Sequence, residues 1–309
     1  MYLIFLLYAL FGSIFTAGKI GLEHTEPFFL IGSRMLMASL IIFGYLFVFD
    51  RKSLKVPRNS YLKLFLLGVF NIYLTNGFEF WGMQHISSAK TSFIYSLSPF
   101  FAAILSFIIF GEKLSKKKLL GLTIGFLGFI PILWDSGAGE TSPDSIAFIS
   151  AAEISVMFAA LATVYGWILM RQLVLDNITP LVCNLYSMFI GGAFSLLHSL
   201  FCENWNPIPV KGSMSGYLES TLWMMIVSSL ICYNLYGYLL KRYTVTFMSF
   251  SGFTTPFFVG LFSWFAIGET LSTGFYLSAF IVLLGLILFY QEELNREGIH
   301  SSEASLRAQ

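Results

Sequence analysis

Charge is what this chain most lacks. Only 11% of its 309 residues are Asp, Glu, Lys or Arg, less than half of the ~25% found in water-exposed domains. That shortage excludes a soluble enzyme and a disordered chain alike. A net charge of +1 leaves no basic field for nucleic acid. The three cysteines, Cys183, Cys202 and Cys232, are odd in number and without metal-type spacing. They are expected as reduced or packed thiols, with no disulfide framework. With four histidines there is little room for a metal centre, and no cofactor is expected. HExxH, Gly-x-Ser-x-Gly and the Gly-x-x-x-x-Gly-Lys phosphate loop are all missing. Their absence argues against an intramembrane enzyme and against ATP-driven pumping by this chain alone. Nothing resembles a ring-forming selectivity filter either.

What the chain has is apolar length: 56% hydrophobic residues and a mean hydropathy of +0.75. A bilayer core of ~30 Å takes about 20 apolar residues as helix. Ten such runs follow one another: 2–20, 27–49, 61–81, 88–110, 118–134, 146–170, 179–201, 222–240, 244–267 and 271–290. The expectation is an all-α membrane protein with ten transmembrane helices, the connections between them too short for a soluble domain. The first run lacks a basic n-region and is too long for the h-region of a signal peptide, so it is expected to be retained.

Lys and Arg set the direction of insertion. Arg51, Lys52, Lys55 and Arg58 follow the second run, Lys113, Lys116, Lys117 and Lys118 the fourth, and Lys241 and Arg242 the eighth. Alternate connections carry acids such as Glu23, Glu26, Asp135, Glu203 and Glu269. Both termini are therefore expected in the cytoplasm, with the chain in a cell (inner) membrane.

Pro99-Phe100-Phe101 overlays Pro256-Phe257-Phe258, and without a gap Gly111-Glu112 overlays Gly268-Glu269 and Gly128 overlays Gly285. Matched Phe and Leu mean little in apolar helices, but a Pro and a Gly-Glu pair at one spacing point to duplication. The halves are expected at 1–145 and 146–291, with a polar cytoplasmic tail over 292–309. Five helices per half force the second to insert upside down, which gives two inverted five-helix repeats and the two packings that alternating access needs.

An ionisable group inside a span is costly unless paired or hydrated. Arg34 sits about eight residues into the second run, ~12 Å deep. Lys19, Glu79, Lys90 and Glu153 fall at a similar level in the outer half. The five could form a network or hold a zwitterion. Each also has a simpler account: Lys19 and Lys90 snorkelling to the interface, Arg34 anchoring helix ends, Glu79 neutralising Lys90. Glu153 has no evident partner of opposite charge, and a carboxylate so placed could carry a proton. Asn184, Tyr233 and Asn234 are buried polar candidates for a cavity wall. Trp81, Tyr95, Tyr233 and Trp264 could stack on a planar substrate or hold a cation. Pro99 and Pro256 are candidate bending points for gating, or static kinks.

Phe11-Gly12-Ser13, Lys19-Ile20, Pro27 and Arg34, taken with Pro99…Gly111-Glu112-Lys113-Leu114 and its second copy, resemble the drug/metabolite transporter superfamily, specifically EamA-type permeases. The resemblance covers both halves, essentially the whole chain to Glu292. Phe11 stands where that family often has Trp. The resemblance implies a central cavity lined mainly by helices one, three, four, six, eight and nine. It also implies transport of a small organic metabolite, without naming it. Mixed charges in one layer suit an α-carboxylate and an α-ammonium, and the aromatics suit a base or a sulfonium. S-adenosylmethionine fits all three, and some relatives of that kind carry it. The expected activity is secondary-active uptake of S-adenosylmethionine in exchange for S-adenosylhomocysteine. The alternatives are export of an amino acid or its derivative, and an intramembrane enzyme. The expected partners are the small-molecule substrate and the lipid bilayer, and a monomer is compatible with this reading.

Overall fold

Backbone polar groups surrounded by lipid can satisfy one another within a helix, and helices are what these apolar runs form. The computed structural model describes residues 2–110, 115–128, 130–131, 150–268, 273–285 and 287–288. Along the chain lie α1 (Tyr2–His24), α2 (Pro27–Phe49), α3 (61–85), α4 (Ser88–Tyr95 and Ser98–Phe110) and α5 (Lys116–Leu127). They are followed by α6 (Ala151–Leu175), α7 (Pro180–Cys202), α8 (Met214–Leu239), α9 (Val245–Ile267) and α10 (Thr273–Gly285). Among the described residues, seven helical stretches are long and apolar enough to cross a membrane: α1, α2, 88–109 within α4, α6, α7, α8 and α9. No strand forms among the described residues. Phe49, Phe201 and Phe265 are 73%, 85% and 86% exposed, a surface suited to lipid rather than water. The Gly111-Glu112 and Glu269 parts of the repeated motif, the junction at 145–146 and the tail 292–309 lie outside the described residues.

Two compact units are present. One combines Met1–Ala102 with Ser150–Thr270, the other Ala103–Ile149 with Leu271–Gln309. In the second unit α5 and α10 meet through small residues: a Cβ on Gly285 would lie 2.6 Å from the Gly121 carbonyl oxygen.

Within the first unit, local sequence chemistry fixes the helix ends. Pro27 and Pro180 open α2 and α7 at first-turn positions, where a missing N–H costs nothing. Ser150 and Glu153 close a reciprocal capping box on α6. The Glu203 carboxylate, just past α7, accepts from the Phe28 and Phe29 amides at 2.6 and 2.9 Å, satisfying the exposed N-terminus of α2.

Two helices of this unit contain a widened, π-helical stretch, Gly68–Leu74 in α3 and Met225–Cys232 in α8. The offset that lays Pro99 on Pro256 also lays Gly68 on Met225, so both stretches begin at matching positions. The breaks in α4 and α9 match as well: α4 restarts at Ser98 and α9 at Thr255, each with its Pro next in the first turn. Hydroxyls take up the carbonyls that the breaks release. Ser98 donates to the Tyr95 carbonyl at 2.5 Å, and Thr254 to the Ser251 carbonyl at 2.9 Å.

The widened turn of α3 is gripped by glycines. A Cβ on Gly166 of α6 would lie 2.4 Å from Asn71 Cβ, and one on Gly191 of α7 would lie 2.4 Å from Ile72 Cβ. Only hydrogen fits at either position. Widened turns of this kind frequently mark functional sites; Ser228 of the α8 stretch lines a cavity, and Asn76, just past the α3 stretch, lines the same one.

Candidate functional site

Below its widened turn α3 is tied to itself by side chains. Thr75 donates to the Phe70 carbonyl at 2.7 Å, and the Asn76 amide donates to the Ile72 carbonyl at 2.8 Å. With its NH2 group so engaged, the Asn76 oxygen faces α2 and accepts from Arg34 Nη2. Arg34 is 1% exposed and lies over the Phe80 ring, 5.2 Å from the centroid. Its Nε and Nη1 have no hydrogen-bond partner among the described residues. A buried guanidinium with two idle donors is costly unless an acceptor completes it.

The space beside Arg34 is a cavity with about 820 Å³ of atom-free volume, open at its mouth. Glu79, one helical turn below Asn76, lines it at 9% exposure and interacts electrostatically with Arg34. The other ionisable groups on the wall are phenols: Tyr8, Tyr95, Tyr233 and Tyr236. Ser92 and Ser98 of α4, Thr163 of α6, and Ser249 and Thr255 of α9 add hydroxyls.

An aromatic wall adjoins the charged pole, with Tyr233 interacting with both Arg34 and Glu79. Trp167 of α6 stacks on Tyr236 of α8 with centroids 3.9 Å apart and planes at 20°, and lies 5.4 Å from Tyr233. Phe11 of α1 meets both tyrosine rings edge-on at 6.3 and 6.4 Å. Phe15 and Tyr95 close another side edge-to-face at 5.8 Å. The Tyr8 hydroxyl donates to the Met248 carbonyl, which fixes α1 against the start of α9.

Arg34, Glu79, Tyr95 and Tyr233 therefore come together on one cavity, and the remaining candidates lie elsewhere. Glu153, expected without a partner, forms a buried ion pair with Lys90 at 2.8 Å while holding its capping box. Glu79 is thus not the neutraliser of Lys90. Lys19 donates to the Met83 and Ile86 carbonyls at 2.6 and 2.9 Å, capping the end of α3. Asn184 donates to Asn234 Oδ1 at 2.9 Å, pairing α7 with α8 beside the wall. Trp81 lines a separate cavity with Phe28, Tyr73 and His198. Trp264 is 61% exposed on the outer surface. Pro99 and Pro256 sit where broken helices restart, adjoining the lining residues Ser98 and Thr255.

The cavity draws on α1, α3, α4, α6, α8 and α9, as the resemblance implied, and on α2 through Arg34. The sequence alone did not mark Ser92, Thr163, Trp167 or Ser249 as cavity residues, and it offered Phe11 only as part of the family motif. The repeat held a signal for several of them. The Pro99–Pro256 offset pairs Glu79 with Tyr236, Asn76 with Tyr233, Ser92 with Ser249 and Ser98 with Thr255, and all eight line the cavity.

The geometry agrees with what the chain is similar to. A protein of Chlamydia muridarum described as an S-adenosylmethionine/S-adenosylhomocysteine transporter is 36% identical over 305 residues, covering 98% of this chain and 95% of that protein. A Chlamydia trachomatis serovar L2 protein of the same description is 35% identical, covering 98% of this chain and 92% of its own. A solved protein structure superposes with a TM-score of 0.68 at 15% identity over 93% of each chain, which shows a shared fold. The model of the EamA-like transporter family matches residues 1–134 and 150–291. With nearly its whole length matched, the chain belongs to the EamA-like transporter family.

Proposed function

We propose that this transporter takes up S-adenosylmethionine in exchange for S-adenosylhomocysteine, and that both bind in the cavity beside Arg34. The observation that carries the reading is the buried guanidinium with idle donors, next to one carboxylate and sharing its cavity with stacked rings. The α-carboxylate completes Arg34 through charge-assisted hydrogen bonds. Glu79 takes the α-ammonium. The adenine stacks on the Trp167–Tyr236 wall, and the sulfonium rests against ring faces. The names of the two chlamydial relatives favour the same cargo. Glu153 and Lys90 hold α6 to α4 instead of binding substrate.

The carrier works by alternating access between two inverted halves of five helices each, ten spans in all, with both termini in the cytoplasm. Matching widened turns in α3 and α8, and matching breaks in α4 and α9, support this reading. So does the placement of Lys and Arg in alternate connections. The breaks beside Pro99 and Pro256 are the bending points.

Equilibrium binding to the purified protein tests the cargo. Labelled S-adenosylmethionine should bind saturably, yield to S-adenosylhomocysteine, and bind far more weakly to Arg34→Ala. Displacement by free amino acids but not by S-adenosylhomocysteine would move the reading to amino-acid export.

A further inference from the structure

We infer that exchange of S-adenosylmethionine for S-adenosylhomocysteine moves one net positive charge across the membrane per cycle, which makes the membrane potential a driving force for uptake. The inference rests on the cargo reading above. Among the described residues, the cavity wall carries one fixed cation, Arg34, and one acid, Glu79, besides neutral hydroxyls, amides and rings. Nearby charges outside the lining do not alter the charge moved per cycle. Lys90 and Glu153 cancel in their own ion pair, and Lys19, held by the Met83 and Ile86 carbonyls, keeps its charge but returns with the protein at the end of each cycle.

A site of one cation and one anion complements a zwitterion. Both cargoes have that zwitterionic end, an α-carboxylate and an α-ammonium. They differ at sulfur, which is a sulfonium cation in one and a neutral thioether in the other. No second carboxylate on the described wall remains to neutralise the sulfonium. Phe11, Trp167, Tyr233 and Tyr236 offer it ring faces, which hold a cation without cancelling its charge. Rings also accept a thioether, as a carrier of both molecules requires. The loaded site therefore carries one positive charge on the inward leg and none on the return. The competing account has Glu79 taking a proton whenever S-adenosylhomocysteine is bound. That would send one charge back outward and make the cycle electroneutral, with a proton as counter-ion.

The test uses the full chain in liposomes containing S-adenosylhomocysteine, with a potassium gradient and valinomycin to set the potential. The quantity read is the steady-state inside-to-outside ratio of S-adenosylmethionine, multiplied by the outside-to-inside ratio of S-adenosylhomocysteine. At equal pH on both sides, an inside-negative potential of ~100 mV should raise that product about 50-fold for one charge per cycle. S-adenosylhomocysteine self-exchange should not respond. A product unmoved by potential, or moved by a pH gradient in its place, overturns the inference and assigns Glu79 the proton. Absence of exchange at zero potential, in protein shown to be folded, overturns the cargo reading and the inference with it.

Discussion

Glu153→Gln separates a structural carboxylate from a substrate-binding one. Glutamine keeps the capping box, because its side-chain oxygen still accepts at that position. What it removes is charge. Lys90, 7% exposed, would be left as a buried ammonium without its 2.8 Å counter-ion. Removing one partner of a buried ion pair costs ~3–5 kcal/mol, whereas replacing both by apolar or neutral groups is nearly neutral. With ~2–4 °C of melting temperature per kcal/mol at this size, the single variant should melt on the order of 10 °C lower. Glu153→Gln combined with Lys90→Met should recover most of that loss. Thermal unfolding in detergent, followed by intrinsic tryptophan fluorescence, reads both effects. Substrate affinity, measured below the melting range, should be unchanged in both proteins. A Glu153→Gln protein that melts like the wild type but binds S-adenosylmethionine weakly would refute the reasoning and return Glu153 to the substrate site.

Arg34→Ala should weaken binding by ~10- to 100-fold or more, since a hydrogen bond to a charged group contributes ~1.5–3 kcal/mol. Arg34→Lys should recover only part, because an ammonium cannot present the planar fork; titration calorimetry reads both, and wild-type affinity in Arg34→Ala would exclude its role. Gly166→Ala and Gly191→Ala should each destabilise by ~1–3 kcal/mol, as overpacked cores do, because the new methyl meets α3 at 2.4 Å; unchanged melting would show that the widened turn yields easily. Glu203, at the edge of the membrane, has its carboxyl pushed up by burial against the pull of the Ser199, Phe28 and Phe29 hydrogen bonds. Its folded value lies above its unfolded one, so its contribution is full below the unfolded value and fades as pH rises through the folded one. The stability gap between wild type and Glu203→Gln should therefore narrow from acid to neutral pH, and a widening gap would reverse the assignment.

Much of the fold was legible because spans are set by apolar length and helix ends by local chemistry. The second run, 27–49, coincides with α2 because Pro27 opens it and Asp50 follows it. The sixth run, 146–170, began early. The capping-box spacing Ser150-x-x-Glu153 places the start of α6 at Ala151, and the same spacing gives Glu153 a structural task. The charged pole was legible through Arg34 and Glu79, since few ionisable residues lie that deep. Two things were not. Pairing of Lys90 with Glu153 depends on which helices neighbour each other, and charge spacing along one chain does not report that. The aromatic wall was hidden by abundance, because among 34 Phe, 15 Tyr and 6 Trp composition cannot separate Trp167, which stacks in the cavity, from Trp264, which faces outward.

Uptake of labelled S-adenosylmethionine into liposomes holding the purified protein, with and without S-adenosylhomocysteine trapped inside, tests the central claim most directly. The cavity predicts saturable entry that internal S-adenosylhomocysteine accelerates and that Arg34→Ala slows strongly at subsaturating substrate. Entry that is absent, or indifferent to the trapped counter-substrate, in protein that is folded would contradict it.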